Sequence, residues 1–168
     1  MKQLADGTPV VIRSIRPDDK QLLTLGLRNL SALSVQQRFL GPKPSFSRRE
    51  LSYLTEVDGH DHVALVAESP AQPVRHLIAV ARFVRLPEDP QAAEAAILVV
   101  DSWQGRGLGS LLARELAARA RGLGVKRFTA TMASDNRPAL RLMEKLAYHL
   151  ERGPSQHGVS ELTLDLAA

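Results

Sequence analysis

The sequence predicts an α/β protein, a mixed sheet with helices on both faces, on three observations. β-branched apolar runs recur through its middle, and Leu/Ala stretches at helical spacing flank them. A glycine-rich turn joins the two kinds of segment within residues 97–120, ILVVDSWQGRGLGSLLARELAARA. The chain has 168 residues, 44% of them apolar, enough for the core of one ordinary domain. A single domain over residues 1–168 is therefore expected.

VVIRSIRP gives a strand ending at Pro17, a residue suited to the first turn of a helix. Asp18 and Asp19 follow, where negative charge favours a helix N-terminus. Leu22, Leu23, Leu25 and Leu27 predict that helix, and a second short one is expected around Val35 to Leu40. Ser47 and Glu50 are spaced as a capping box ahead of Leu51, Tyr53 and Leu54. HVALVAES and RHLIAVARFVRL then read as two antiparallel strands joined by SPAQP, with the loop PEDPQ closing the second. A strand over Ala92 to Asp101 runs into the glycine turn. Beyond it, Leu108, Leu111, Leu112, Leu116, Ala120 and Leu123 carry a helix to stops at Gly122 and Gly124. VKRFTATMA reads as a strand, DNRPALRLMEKLAYHL as a helix passing into a short strand, and GVSELTLDL as the last strand.

Composition narrows the function classes. The chain has no cysteine, which excludes disulfides, thiolate metal sites and a covalent thioester on the protein. No apolar run approaches the roughly 18 residues of a membrane span, and MKQLADGTPV lacks the layout of a signal peptide. A cytoplasmic location without membrane association is expected. The net charge of +4 rests mainly on arginine, a residue suited to phosphate and carboxylate contacts. One Trp, two Tyr and four Phe offer no stacking platform, so nucleic acid is not an expected partner. His60 and His62 flank Asp61 at strand spacing, but no third ligand stands at a convincing distance and no metal is assigned.

The glycine turn predicts an anion site. A strand that stops, a turn without β-carbons and a helix that starts gather main-chain N–H groups at the positive end of a helix dipole. A Walker loop needs a lysine after its last glycine, and QGRGLGS has none. A Rossmann turn needs a third glycine where Ser110 stands and an acidic residue about 20 positions on, and FTATM supplies none. Gln104-Gly105-Arg106-Gly107-Leu108-Gly109 instead matches Gln/Arg-x-x-Gly-x-Gly/Ala at every fixed position.

That hexad resembles the pyrophosphate-binding motif of the GNAT N-acetyltransferases, which hold acetyl-coenzyme A. DNRPALRLMEKLAY resembles the second signature of the same family. YLTEVDGHDHVALVA, AEAAILVVDSWQGRGLG and SDNRPALRLMEKL are together similar to the catalytic domain of bacterial Pat-type protein lysine acetyltransferases, some of which act on acyl-CoA synthetases. Those proteins often carry extra domains, and none is expected here.

The resemblance implies a GNAT fold whose central, mostly antiparallel sheet is splayed. The strand Ala92 to Asp101 would part from Val125 to Ala133, with pantetheine paired to backbone at Ile97, Leu98 and Val99. Gln104, Gly105, Arg106, Gly107, Leu108, Gly109 and Ser110 would hold the diphosphate, and Asn136 would bind pantetheine or cap its helix. Glu94 stands where the Pat-like pattern AExAxxV places a general base, needed because a lysine amine has a pKa of about 10.4. Many GNAT enzymes carry a tyrosine as general acid where this chain has Met143, which leaves Ser134, Asn136 or water. Arg48, Arg49 and Arg137 are candidate contacts for acidic groups, and the HDH segment for the acceptor side of the cleft.

The expected function is direct transfer of acetyl from acetyl-CoA to a primary amine, with a protein lysine foremost, such as one on an acyl-CoA synthetase. The alternatives are a small-molecule amine acetyltransferase and a non-catalytic acyl-CoA sensor. A monomer or homodimer is expected.

Overall fold

The structure is a computed structural model and describes residues 1–166. Its elements are β1 (Lys2–Gln3), β2 (Pro9–Ser14), α1 (Lys20–Arg28), α2 (Ala32–Phe39), α3 (Arg48–Thr55), β3 (His62–Glu68), β4 (Leu77–Leu86), β5 (Asp89–Val99), α4 (Leu108–Gly122), β6 (Arg127–Ala133), α5 (Arg137–Leu146), β7 (Ala147–Gln156) and β8 (Val159–Leu166). Short 3-10 turns precede α1 and follow β5. The strands form one sheet in the order β1-β2-β3-β4-β5-β6-β8-β7, antiparallel at every junction except β5/β6. This is the mixed α/β architecture that the sequence predicts, one mostly antiparallel sheet flanked by helices.

Helices cover both faces of the middle of the sheet, which is why β3 reads as an unbroken apolar run rather than an alternating one. Val63, Leu65 and Ala67 face one core, shared with Phe83, Phe128 and the α4 residues Leu108, Leu112 and Leu116. Ala64 and Val66 face the other, with Ile15, Leu23 and Leu77, against Leu51 and Leu54 of α3. In α1 the turn-spaced pair Leu23 and Leu27 is buried, while Leu25 is 47% exposed. Ser47 and Glu50 make both bonds of the capping box.

Three boundaries differ from those expected. The strand expected over Ala92 to Asp101 runs from Asp89 to Val99, so only Pro87 and Glu88 turn the hairpin. Pairing jumps from Arg85↔Ala93 to Leu86↔Asp89, and Pro90 is tolerated inside that bulge because no ladder bond is asked of it there. The second helix starts at Ala32 because the Ser31 hydroxyl accepts the Ser34 N–H. The strand after α5 extends through Gln156, and His157 and Gly158 turn it into β8 with φ of 52° and 75°, a two-residue turn whose twist suits a hairpin.

An ion cluster ties the first third to the sheet. Arg13 of β2 donates to both carboxylate oxygens of the fully buried Asp19, each at 2.8 Å, and also pairs with Glu68 of β3. Arg75, from the turn between β3 and β4, closes the ring onto Glu68 at 2.9 Å. Burial pushes both carboxyls up, but the guanidiniums, with the Arg16 N–H on Asp19, outweigh it and hold both below their ordinary values. Carboxylates depressed in the folded state stabilise it above the ordinary carboxylate range, and that contribution disappears as pH falls through the lowered values. Asp19→Ala is expected to lower stability by about 3 kcal/mol at pH 7, because it strips the bidentate partner from Arg13. Urea unfolding should show that deficit at pH 7 and its shrinkage toward pH 3.

Candidate active site

The parallel junction in the sheet is short. Ala92↔Arg127, Ala93↔Phe128 and Glu94↔Thr129 pair, yet β5 continues to Val99 and β6 to Ala133 without further pairing. The two strands therefore fork immediately past Glu94. Their parting opens a cleft of about 750 Å³, a size typical of small-molecule sites. Ala95 to Val99 line one wall, Ala130 to Met132 the other, and residues of α2 and α5 close the sides.

Hydrogen-bond parity decides which backbone groups face the gap. The Val100 N–H donates to Ile78 O on β4, whereas Gln91 O accepts the Lys126 N–H from the β6 side. Strand alternation then turns Leu98 toward β4, and Ile97 and Val99 toward the gap. Leu98 thus differs from the expectation of backbone pairing in the cleft: its main chain belongs to the β4 ladder. Its side chain enters the apolar layer with Leu22, Leu27, Phe39 and Val80.

At the open end of β5 the chain makes a 3-10 turn, then the glycine turn, then α4. Gly105 and Gly107 have φ of 72° and 84°, the left-handed region that glycine enters without strain. A β-carbon at either would meet open space, so conformation rather than crowding selects glycine here. Gly109 is different: its β-carbon position lies 3.5 Å from Val99 Cγ2, so a small residue lets α4 close onto β5. The Leu111 N–H makes the first helical bond, to Gly107 O at 3.0 Å. Six consecutive main-chain N–H groups before it, Gly105 to Ser110, have no acceptor among the described residues. They stand at the N-terminus of a 15-residue helix, where the dipole adds positive potential.

Side chains around the turn are occupied with holding it. Gln104 Nε2 donates to Val99 O at 2.9 Å and to Ser34 Oγ at 3.3 Å, fixing the end of β5 to α2. Asp101 accepts from the Ser31 hydroxyl and N–H and from Ser34 Oγ. Burial raises its pKa, and these donors lower it further than that, leaving it below the ordinary value. Arg106 points away from the cleft, onto Asp6 and Thr8 of the β1–β2 turn and over the Trp103 ring at 4.3 Å. The Thr8 hydroxyl and N–H, with Arg106, draw the Asp6 carboxyl down to about 2. Leu108 is fully buried in the core. Arg106 and Leu108 thus do not line the cleft, while Gln104, Gly105, Gly107, Gly109 and Ser110 do.

Glu94 lies at the fork on an exposed position and lines the cleft, in an environment less desolvated than its alanine neighbours suggest. Asn136 caps α5 through the Ala139 N–H at 3.2 Å and also lines the cleft. Met143 stands buried in its wall. Ser134 is directed elsewhere, bonding Ser155 and Ser160 at 2.7 Å on β7 and β8. The cations of the cleft are Arg38, Arg141 and Lys145 in place of the expected Arg48, Arg49 and Arg137. Arg141 and Lys145 are one turn apart on α5, a spacing readable in the sequence, whereas nothing local to QQRFL marks Arg38. His60 and His62 do not face the same way. His60 bonds Asp61 in the loop, and His62 is buried against Arg82.

Residues 31–148 match the acetyltransferase (GNAT) family. The chain belongs to that family. Acetyltransferase Pat of Mycolicibacterium smegmatis is 36% identical over 145 residues, which are 86% of this chain and 42% of Pat. The chain therefore spans less than half the length of that relative. The GNAT domain of S. lividans PAT superposes with a TM-score of 0.86 at 30% identity, over 98% of this chain and 95% of that one. At 19% identity, yncA from Salmonella typhimurium, solved with its cofactor acetyl-CoA, shares the fold with a TM-score of 0.73 over 94% of both chains. In this GNAT domain the fork of β5 and β6, the glycine turn and Glu94 all open on one cleft.

Gly107→Glu should reduce coenzyme A affinity at least about 100-fold, since it sets a carboxylate and a strained left-handed residue among the free amides. Calorimetric titration with coenzyme A checks this; unaltered affinity would place the anion elsewhere.

Proposed function

We propose that this chain transfers acetyl from acetyl-CoA to the ε-amine of a protein lysine. The observation that carries the reading is that Gly105, Gly107, Gly109 and Ser110, with their free amides, line the same gap as Glu94. The resemblance of YLTEVDGHDHVALVA and SDNRPALRLMEKL to Pat-type protein lysine acetyltransferases supports a protein acceptor, and an acyl-CoA synthetase is the first candidate substrate.

Acetyl-CoA supplies the acyl group as a thioester, whose carbonyl carbon accepts the amine nitrogen as the C–S bond breaks. The main-chain N–H groups from Gly105 to Ser110 fit a diphosphate, because they lack acceptors among the described residues and stand at a helix N-terminus. Ile97 and the Val99 N–H offer unpaired backbone groups to the amides of a pantetheine arm, as an edge strand offers them to an added strand. Gln104 holds Val99 O, which keeps this edge in place.

The amine must lose a proton before it can attack, and a free lysine is almost wholly protonated at neutral pH. Glu94 takes that proton, directly or through one water. It is suited to do so because it forms no ion pair among the described residues and stands where the fork begins. Met143 has no proton to give, Ser134 faces away, and the Asn136 amide can offer a hydrogen bond but not a proton, so solvent is left to protonate the thiolate. A thiol with a pKa of about 8.5 needs little assistance near a helix N-terminus.

Glu94→Gln should lower kcat by about 10² or more at neutral pH while leaving the KM for acetyl-CoA within a few-fold of native. Thiol release with an acyl-CoA synthetase as acceptor, coupled to mass spectrometry of the acceptor, measures both quantities. Full activity in the variant would mean that another group is the base.

A further inference from the structure

We propose that Arg38, with Arg82 behind it, recognises a carboxylate that the acceptor carries close to its amine. The inference rests on amine transfer in this cleft and adds the charge of the acceptor.

The fork is more basic than proton transfer requires. Glu94 is the sole carboxylate among the described residues lining the cleft, and it must stay free to receive a proton. On the same face of the sheet lies Arg82, whose partner across the ladder is Ala96, two residues from Glu94, so the two are diagonal neighbours. Arg82 is 7% exposed and has no carboxylate partner among the described residues. Its Nη1 donates to Leu54 O at 3.2 Å and lies 3.0 Å from His62 Nε2. Burial and the adjacent guanidinium lower the His62 pKa and so favour the neutral form, which can accept that bond. The Tyr53 ring packs on the imidazole at 4.8 Å between centroids. Arg82 is thus fixed in place as a cation.

Arg38 comes from the last turn of α2 and lines the cleft itself. It is half-buried, and no hydrogen bond or ion pair engages its guanidinium among the described residues; its Cζ lies 5.1 Å from the Phe39 ring centroid. Burial draws its pKa down, opposed by the charge of Glu94, and burial with the charge of Arg38 brings Arg82 to about 10. One desolvated guanidinium beside Glu94 and a second, buried behind it without a carboxylate partner among the described residues, leave an unbalanced positive charge, a costly arrangement for the protein alone. An isolated ammonium would be repelled from this point. An acceptor with a carboxylate beside its amine supplies the missing charge, and the planar fork of arginine binds such a group in two hydrogen bonds. The carboxylate can belong to an acidic residue flanking a lysine or to a free amino acid.

Equilibrium binding tests this without turnover. Calorimetry on the coenzyme A-loaded protein compares acetyl-lysine peptides bearing Asp or Asn in turn at each flanking position, and N-acetylglutamine with its α-amide, which lacks the carboxylate beside the nitrogen. At least one Asp peptide should bind about tenfold tighter than its Asn twin. Arg38→Gln should erase that preference and Arg38→Lys should keep part of it, with thermal unfolding reporting that both variants fold. A preference confined to the free amino acids also supports the proposal and assigns the carboxylate to a small acceptor. Equal binding of every acidic and neutral pair, or a preference that survives Arg38→Gln, would overturn it. A charge preference in a protein that acetylates no acceptor would count against the transfer reading alone.

Discussion

The structure depends on a ladder that stops. Three residue pairs join β5 to β6, and beyond Glu94 the strands part with their inner backbone groups unpaired. Unpaired backbone at the centre of a sheet is expensive when sealed from water, so a fork of this kind persists only beside a cleft that solvent or a ligand fills. Each neighbouring element serves that arrangement. β4 holds the other edge of β5 from Ala93 to Val99, α4 covers one face, and Gln104 ties down the last carbonyl at the tip.

The glycine turn follows from the same geometry. A strand bent out of its ladder must end at the open mouth of the cleft, and α4 must begin there to return over the sheet. Two left-handed glycines make that reversal within a few residues, and a third lets the helix approach Val99. The free amides are then a by-product of a helix start that no side chain caps. Arg106 and Asp101 do not face the cleft, but they brace the turn from two sides, through the β1–β2 turn and through α2. A donor site built on backbone keeps its geometry because rigid elements fix it.

Charge around the fork is arranged by different elements for different ends. The Arg13, Asp19, Glu68 and Arg75 ring balances its own charges within the outer part of the sheet. Arg38 and Arg82 have no such partners among the described residues, although Arg38 lines the cleft together with the one carboxylate there and Arg82 is buried behind it. That contrast, more than the count of basic residues, separates a structural cluster from a surface waiting for a charged group.

Much of this was legible in the sequence because it is encoded locally. The capping box at Ser47, the helical spacing of Leu108 to Ala120, the hexad from Gln104 and the Asn136 cap each depend on residues a few positions apart. The cleft side of the site divides differently. The hexad located the amides, but the orientation of its side chains could not be read: Arg106 turns onto Asp6, 100 positions away in the chain, and Gln104 onto Val99 and Ser34. Leu98 was indistinguishable from Ile97 and Val99 until the Val100–Ile78 bond set the parity of the strand. The sequence by itself determined which segments are helix or strand and where main-chain donors gather, since hydrophobic period and glycine conformation are properties of neighbouring residues. Tertiary structure alone decided where β5 leaves β6 and which cations stand beside Glu94, because both depend on long-range pairing and packing that bring distant segments to one point.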